Sequence, residues 1–226
     1  MFQRIAILGL LLIINSSCSQ SSKKFSGYIT LKSEISSGSV AQAFMPPAVL
    51  IVDAQANAIE FLTKVKLENG EMKGSDTLNV FFINFKKGNY ASYKKLDINE
   101  KPYAKEKIDN KKEGISFFSK KVDFFSGVTD IVIKDSIIKN ISYKVARGFK
   151  KVDHYKFKYE AYVLNSPKKF PIQISKIISE RTEGGFVAEV RITDYANDKL
   201  LIFKCDYIQK NLPERLEKLM KVWGGN

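Results

Sequence analysis

The chain is 226 residues long, 44% hydrophobic and 27% charged, with 6 prolines and a formal charge of +13. These proportions exclude a disordered, collagen-like or multi-span membrane protein and fit one globular body with a sizeable core. One histidine and two cysteines exclude most zinc, haem and iron–sulfur sites, which gather several imidazoles or thiolates around one ion. Carboxylates remain competent for calcium or magnesium, and no cofactor is expected.

At the amino terminus Arg4 precedes an apolar run over residues 5–14, interrupted by Gly9, and small polar residues lead to Cys18. The run is about half of the ~20 residues a spanning helix needs, and its order of segments is that of an export signal. The ending Asn15-Ser16-Ser17-Cys18 resembles the lipobox of bacterial lipoproteins, whose cysteine takes a diacylglycerol and becomes the new amino terminus on cleavage. The resemblance implies a signal peptide over residues 1–17, a lipidated Cys18 with a polar tether over residues 18–24, and one domain over residues 25–226. Asn15 stands where that family prefers an aliphatic residue; the competing reading is a plain secretory signal with an incidental cysteine. Ser19 after the cysteine, where an aspartate is linked to inner-membrane retention, favours the outer membrane by the same resemblance. Several acyl chains on one cysteine anchor durably where a single chain does not. Cleavage removes Arg4 and no acid, which leaves a charge of +12.

Along the body, residues 25–35 alternate around Tyr28, Thr30 and Lys32 as a first strand, and a Ser/Gly loop follows over residues 36–40. Met45-Pro46-Pro47 is expected to break the chain, and residues 48–65 fit a helix or a bent strand. Residues 78–85 and 90–96 form a hairpin around Lys86-Lys87-Gly88-Asn89. The polar, lysine-rich stretch 99–112 reads as an exposed loop. Three strands follow over residues 128–134, 137–149 and 154–164. Residues 170–181 begin with alternation and end with helical spacing before Gly184-Gly185. A last hairpin spans residues 186–195 and 200–209. Residues 212–222, with Leu212, Leu216, Leu219 and Met220 apolar and Pro213 near the start, form a short amphipathic helix. The predicted fold class is mainly β: a curved antiparallel sheet or half-barrel with one to three covering helices.

This order of features resembles the lipoprotein-carrier type of envelope β-protein and the related GLPGLI-type proteins of Bacteroidota. Its points of contact are Gly27-Tyr28-Ile29, Ile141-Ser142-Tyr143-Lys144-Val145-Ala146, Tyr159-Glu160-Ala161-Tyr162, Pro171-Ile172 and Gly184-Gly185-Phe186-Val187. The GLPGLI tract is absent, and no cysteine follows Tyr143. The resemblance implies an incomplete antiparallel barrel whose concave side takes a lipid or acyl chain.

The 27 aromatics include the pairs Phe81-Phe82, Phe117-Phe118 and Phe124-Phe125, which on strands would send one ring to each face. One ring facing a cavity and one a covering helix points to an apolar pocket; rings filling core on both sides are the plain alternative. Candidate ligand-lining residues are Tyr28, Phe82, Phe118, Phe125, Tyr143 and Phe157. Lysine runs such as Lys86-Lys87 and Lys150-Lys151 suit anionic lipid or polysaccharide, and an exported protein meets little nucleic acid. Arginine supplies only 5 of the 37 basic residues, which weakens specific bidentate phosphate recognition.

Cys205 alternates with Leu201 and Phe203 on one strand face and reads as a buried, inert thiol. Asp123, Asp130 and Asp135 lack the ligand density of a calcium loop, and Asp153 and His154 would point to opposite faces of a strand. No nucleophile-elbow, zincin or phosphate-loop motif is present, so a non-enzymatic envelope protein is expected. Its partners are then the membrane through the anchor and a lipid or acyl ligand; the alternative is a scaffold module docking on an envelope protein through its basic surface.

Overall fold

The computed structural model describes residues 24–38, 40–69, 71–112, 114–115, 123–166 and 170–225. Their β-branched and aromatic alternation builds one open, curled antiparallel sheet with two helices, as the fold-class reading expected. The strands are β1 (Gly27–Ser37), β2 (Val40–Val52), β3 (Asn57–Glu68), β4 (Glu71–Asn84), β5 (Asn89–Tyr93), β6 (Ala104–Lys107), β7 (Thr129–Ile138), β8 (Ile141–Val152), β9 (Tyr155–Leu164), β10 (Phe186–Asp194) and β11 (Lys199–Gln209). Spatial order is β6-β5-β4-β3-β2-β1-β11-β10-β9-β8-β7, so consecutive strands pair except β6 and β7, and β1 pairs with β11 as well as with β2. That pairing of the first strand with the last places β6 and β7 at the two edges of the sheet formed by the described strands.

The described residues of the segment that crosses between those edges, 108–112, 114–115 and 123–128, include several that pack against the sheet. A 3₁₀ turn over Ile108–Asn110, then Ile115 and Phe125, joins Ile29, Leu50, Ile83, Ala146, Val163 and Phe203 in the larger core on the concave face. Helix α1 (Lys176–Arg181) adds Ile178 to the same cluster, and α2 (Glu214–Gly225) lies on the opposite face. There Leu219, Met220 and Trp223 pack on Ile51, Ile59, Val80, Phe82 and Tyr93, with the Trp223 and Tyr93 rings stacked at 3.8 Å. Burial of each large apolar side chain in these clusters is worth roughly 1.5–3 kcal/mol. Both clusters, and every described strand, lie between Phe25 and Trp223.

Several expectations change. Stretch 99–112 is not only an exposed loop: it contains β6, and Ile108 and Lys111 are buried. Lys111 is 2% exposed, its Nζ 3.2 Å from the Glu60 carboxylate, which is 1% exposed, and 4.0 Å above the Phe81 ring. Glu60 also accepts the Ile115 N–H, so one β3 carboxylate pins the crossing segment inside the concavity. Gly114 permits that approach, because its φ is +85° and a Cβ would collide with the Glu60 carboxylate. Residues 45–47 do not break the chain but lie within β2, whose pairing with β3 is confined to Leu50, Ile51 and Val52; the prolines sit where no ladder on that side needs their missing N–H. Residues 48–65 are strand on both sides of a turn. Residues 128–149 divide at Lys139-Asn140, not at 135–136, and Phe124-Phe125 occupy a turn rather than a strand.

Candidate functional site

Strand directions alternate, so one end of the sheet gathers the start of β1, the ends of β2, β9 and β11, and the start of β10. At this end Gly27 (φ +143°) lets β1 approach β11, where a Cβ would overlap the Ile208 carbonyl oxygen. Lys210 N–H donates to the Ser26 carbonyl at 3.2 Å and holds the first residues of the body against the end of β11. Phe25 thereby joins Phe170, Phe186 and Tyr207, with ring centroids 5.0 Å apart for Phe25–Phe170, 4.4 Å for Phe170–Phe186 and 4.9 Å for Phe186–Tyr207.

Beside this aromatic cluster lies a mainly apolar slot of about 180 Å³ lined by Phe25, Val52, Ala54, Ala56, Phe170 and Pro171, with Asp53 and Gln55 in its wall and exposed Lys24 and Lys86 at its rim. Its outer wall is the β2–β3 turn. Asp53 Oδ1 accepts the Gln55 and Asn57 N–H groups at 2.8 Å each, and Oδ2 accepts Asn57 Nδ2 at 2.9 Å, which holds Ala56 at φ +65°. The other side of that turn borders a more polar cleft of about 620 Å³ against Leu212, Glu217, Met220 and Lys221 of the α2 region. The slot is smaller than the ~300–1,000 Å³ of sites that enclose whole small molecules. It suits the end of a hydrocarbon chain, with ammonium groups placed for an anionic head.

Of the sequence-predicted lining residues that are described, none lines this slot, and only Phe82 and Tyr28 share a cluster. Phe82 is buried against Trp223 beneath α2, and Tyr28 packs on the edge of that cluster. Phe125 fills the concave core, its ring 5.8 Å from Tyr159. Phe157 is half-buried near the far end of β9. Tyr143 lines a 310 Å³ depression on the outer face of β8–β11 with Tyr162, Glu189, Arg191 and Lys204. Phe118 and Cys18 lie outside the described residues. The four rings of this cluster, of which Phe25 and Phe170 line the slot, escaped sequence reasoning because they come from four segments whose only common signal is a place near a strand end.

On the outer depression, the Arg191 guanidinium lies 4.7 Å from the Tyr162 ring centre and pairs with Glu189. Burial pushes the Glu160 carboxyl up, but hydrogen bonds from Arg147 and Lys158 outweigh it and hold Glu160 below the usual carboxylate range. Asp123 serves structure: it accepts the Phe125 N–H at 2.9 Å, the Ser175 hydroxyl at 2.6 Å and the Ile177 N–H at 2.8 Å, joining the crossing segment to the start of α1. His154 is exposed in the β8–β9 turn. Cys205 is buried, and desolvation, with the Asp206 charge adding, pushes its thiol up to about 12.

No family model matches the chain, and no curated protein matches it. Among solved structures it is similar to a LolA superfamily protein from Nitrosomonas europaea, at 8% identity over 85% of this chain and 90% of that one, with a TM-score of 0.31. It is also similar to PNGF-II, at 11% identity over 84% of this chain and 30% of that one, with a TM-score of 0.35. A domain from Vibrio parahaemolyticus described as outer membrane lipoprotein-sorting aligns at 8% identity over 87% of this chain and 92% of that one, with a TM-score of 0.27. Superpositions this loose assign no ligand, partner or activity to the chain.

Proposed function

We propose that this chain is a lipid-anchored protein of the bacterial cell envelope, held at the outer membrane through Cys18, that binds the apolar end of an anionic amphiphile and is not an enzyme. The observation that carries the reading is the slot at the tether side of the sheet: six apolar residues around about 180 Å³, with Asp53 and Gln55 of the β2–β3 turn also in its wall and Lys24 and Lys86 as its two cations. An acyl chain buried there gains roughly 0.8 kcal/mol per methylene removed from water, and the lysines select a negative head. The lipobox-like ending at Cys18 supports the anchor.

The test is native mass spectrometry of the body over residues 19–226, before and after solvent extraction and after addition of phosphatidylglycerol. Discrete extra mass that extraction removes is expected. Ala54→Trp, which fills the slot from an exposed wall position, is expected to abolish it, and Lys86→Glu to weaken it. A bare mass with lipid supplied, or binding unchanged by Ala54→Trp, refutes the slot. Incorporation of a labelled fatty acid into the full chain, lost in Cys18→Ala, tests the anchor separately.

A further inference from the structure

The turn between β7 and β8 exposes an unusual set of side chains. Ile137, Ile138 and Ile141 are 76%, 37% and 47% exposed, and Lys139 and Asn140 between them are also exposed. Ile138 pairs with Ile141 and Ile137 with Ser142, so the strands stay in register up to the turn. The turn itself is a two-residue reversal with φ of +49° at Lys139 and +63° at Asn140, the geometry that fits a tight hairpin. The tip is thus apolar on both faces and held in shape by its own ladder. Isolated exposed isoleucines are ordinary, whereas three within five residues at a projecting turn mark a contact surface.

The occupant is indicated by charge and by position. Lys134, Lys139 and Lys144 flank the isoleucines; Asp135 is the acid among them and lies 3.8 Å from Lys144, in a chain of net charge +13. Because strands alternate, the end of β7 and start of β8 lie at the same end of the sheet as the start of β1, together with Ile208, 59% exposed, and Lys210. Lys24 lies six positions after Cys18, a reach of at most about 22 Å, so an anchored chain would present this end to the bilayer.

We infer that the β7–β8 turn is a wedge that inserts Ile137, Ile138 and Ile141 into the headgroup boundary of an anionic bilayer, with Lys139 on the lipid phosphates. The wedge goes beyond the amphiphile slot; its orientation rests on the proposed Cys18 anchor, while its binding to lipid needs no acylation. Insertion of this kind gains from apolar area and from attraction of lysines to the negative surface, and the second contribution is screened by salt.

The test is co-sedimentation of the unacylated body, residues 19–226, with phosphatidylethanolamine vesicles with and without phosphatidylglycerol. Binding is expected only with the anionic lipid. The triple variant Ile137→Ser/Ile138→Ser/Ile141→Ser should lower the partition coefficient by about tenfold or more, with thermal unfolding unchanged because the side chains are exposed. An environment-sensitive dye on Ile138→Cys, the one accessible thiol when Cys205 is buried, should shift to the blue on vesicle addition. Binding that survives the triple substitution, or a dye that stays in water, overturns the wedge and leaves charge alone. No vesicle binding combined with a dimer that the triple variant abolishes assigns the tip to a second copy of the chain and also overturns it. Failure of the amphiphile slot leaves these readouts unaffected, since neither the vesicle nor the dye assay involves Ala54 or Lys86.

Discussion

Replacing Lys111 by methionine asks how much of the stability depends on the ion pair inside the concavity. Its ammonium lies 3.2 Å from the Glu60 carboxylate and 4.0 Å above the Phe81 ring, with both charged side chains almost wholly removed from solvent. Removing one member of such a pair leaves an uncompensated buried charge, a loss of about 3–5 kcal/mol. For a body of this size that lowers Tm by about 6–20 °C. Glu60→Gln keeps an acceptor for the Ile115 N–H but strands the ammonium, and should cost a similar amount. The double variant removes both charges while preserving that acceptor, so it should be more stable than either single variant, with a coupling of about 2 kcal/mol or more. Urea unfolding followed by the fluorescence of Trp223, the chain's one tryptophan, measures all four proteins. Additive costs, or a Lys111→Met cost below about 1 kcal/mol, would show that the pair does not hold the crossing segment in place.

Asp123→Ala removes the acceptor of three hydrogen bonds that join residues 123–125 to the start of α1, and should destabilise the body by about 2–4 kcal/mol in the same urea assay. A loss under about 0.5 kcal/mol would mean that α1 docks without it. Cys205, whose thiol burial pushes up to about 12, should not react with a soluble disulfide reagent at pH 8 until the protein unfolds, so modification should follow the unfolding rate. Rapid native-state labelling would contradict its burial. Glu160 is held below the usual carboxylate range by Arg147 and Lys158, so its contribution is complete above that range and lost as pH falls through the depressed value. Partial exposure limits the effect to about 1 kcal/mol, and Glu160→Gln should flatten the acid side of the stability profile by that amount.

Residues whose structure depends on their immediate neighbours were legible in the sequence. Alternation of Ile29, Leu31 and Ser33 against Tyr28, Thr30 and Lys32 specified β1, and Leu216, Leu219 and Met220 specified the apolar stripe of α2, to which the structure adds Trp223. The turn after Asn84 and the buried face of Cys205 followed from the same local periodicity. An alternating pattern says which residues share a face, and it says nothing about which strand, 50 or 150 residues away, will lie alongside. The tertiary structure therefore decided that Lys111 is buried, because its partner Glu60 comes from β3. It decided that Pro46 and Pro47 are tolerated in β2, because β3 has already diverged there. It also brought Phe25, Phe170, Phe186 and Tyr207 together, and placed the isoleucine turn at the same end, because β1 pairs with β11 and every later strand takes its direction from that pairing. Period-two patterning is a property of a few consecutive residues, whereas a site at the end of a sheet is a property of the strand order.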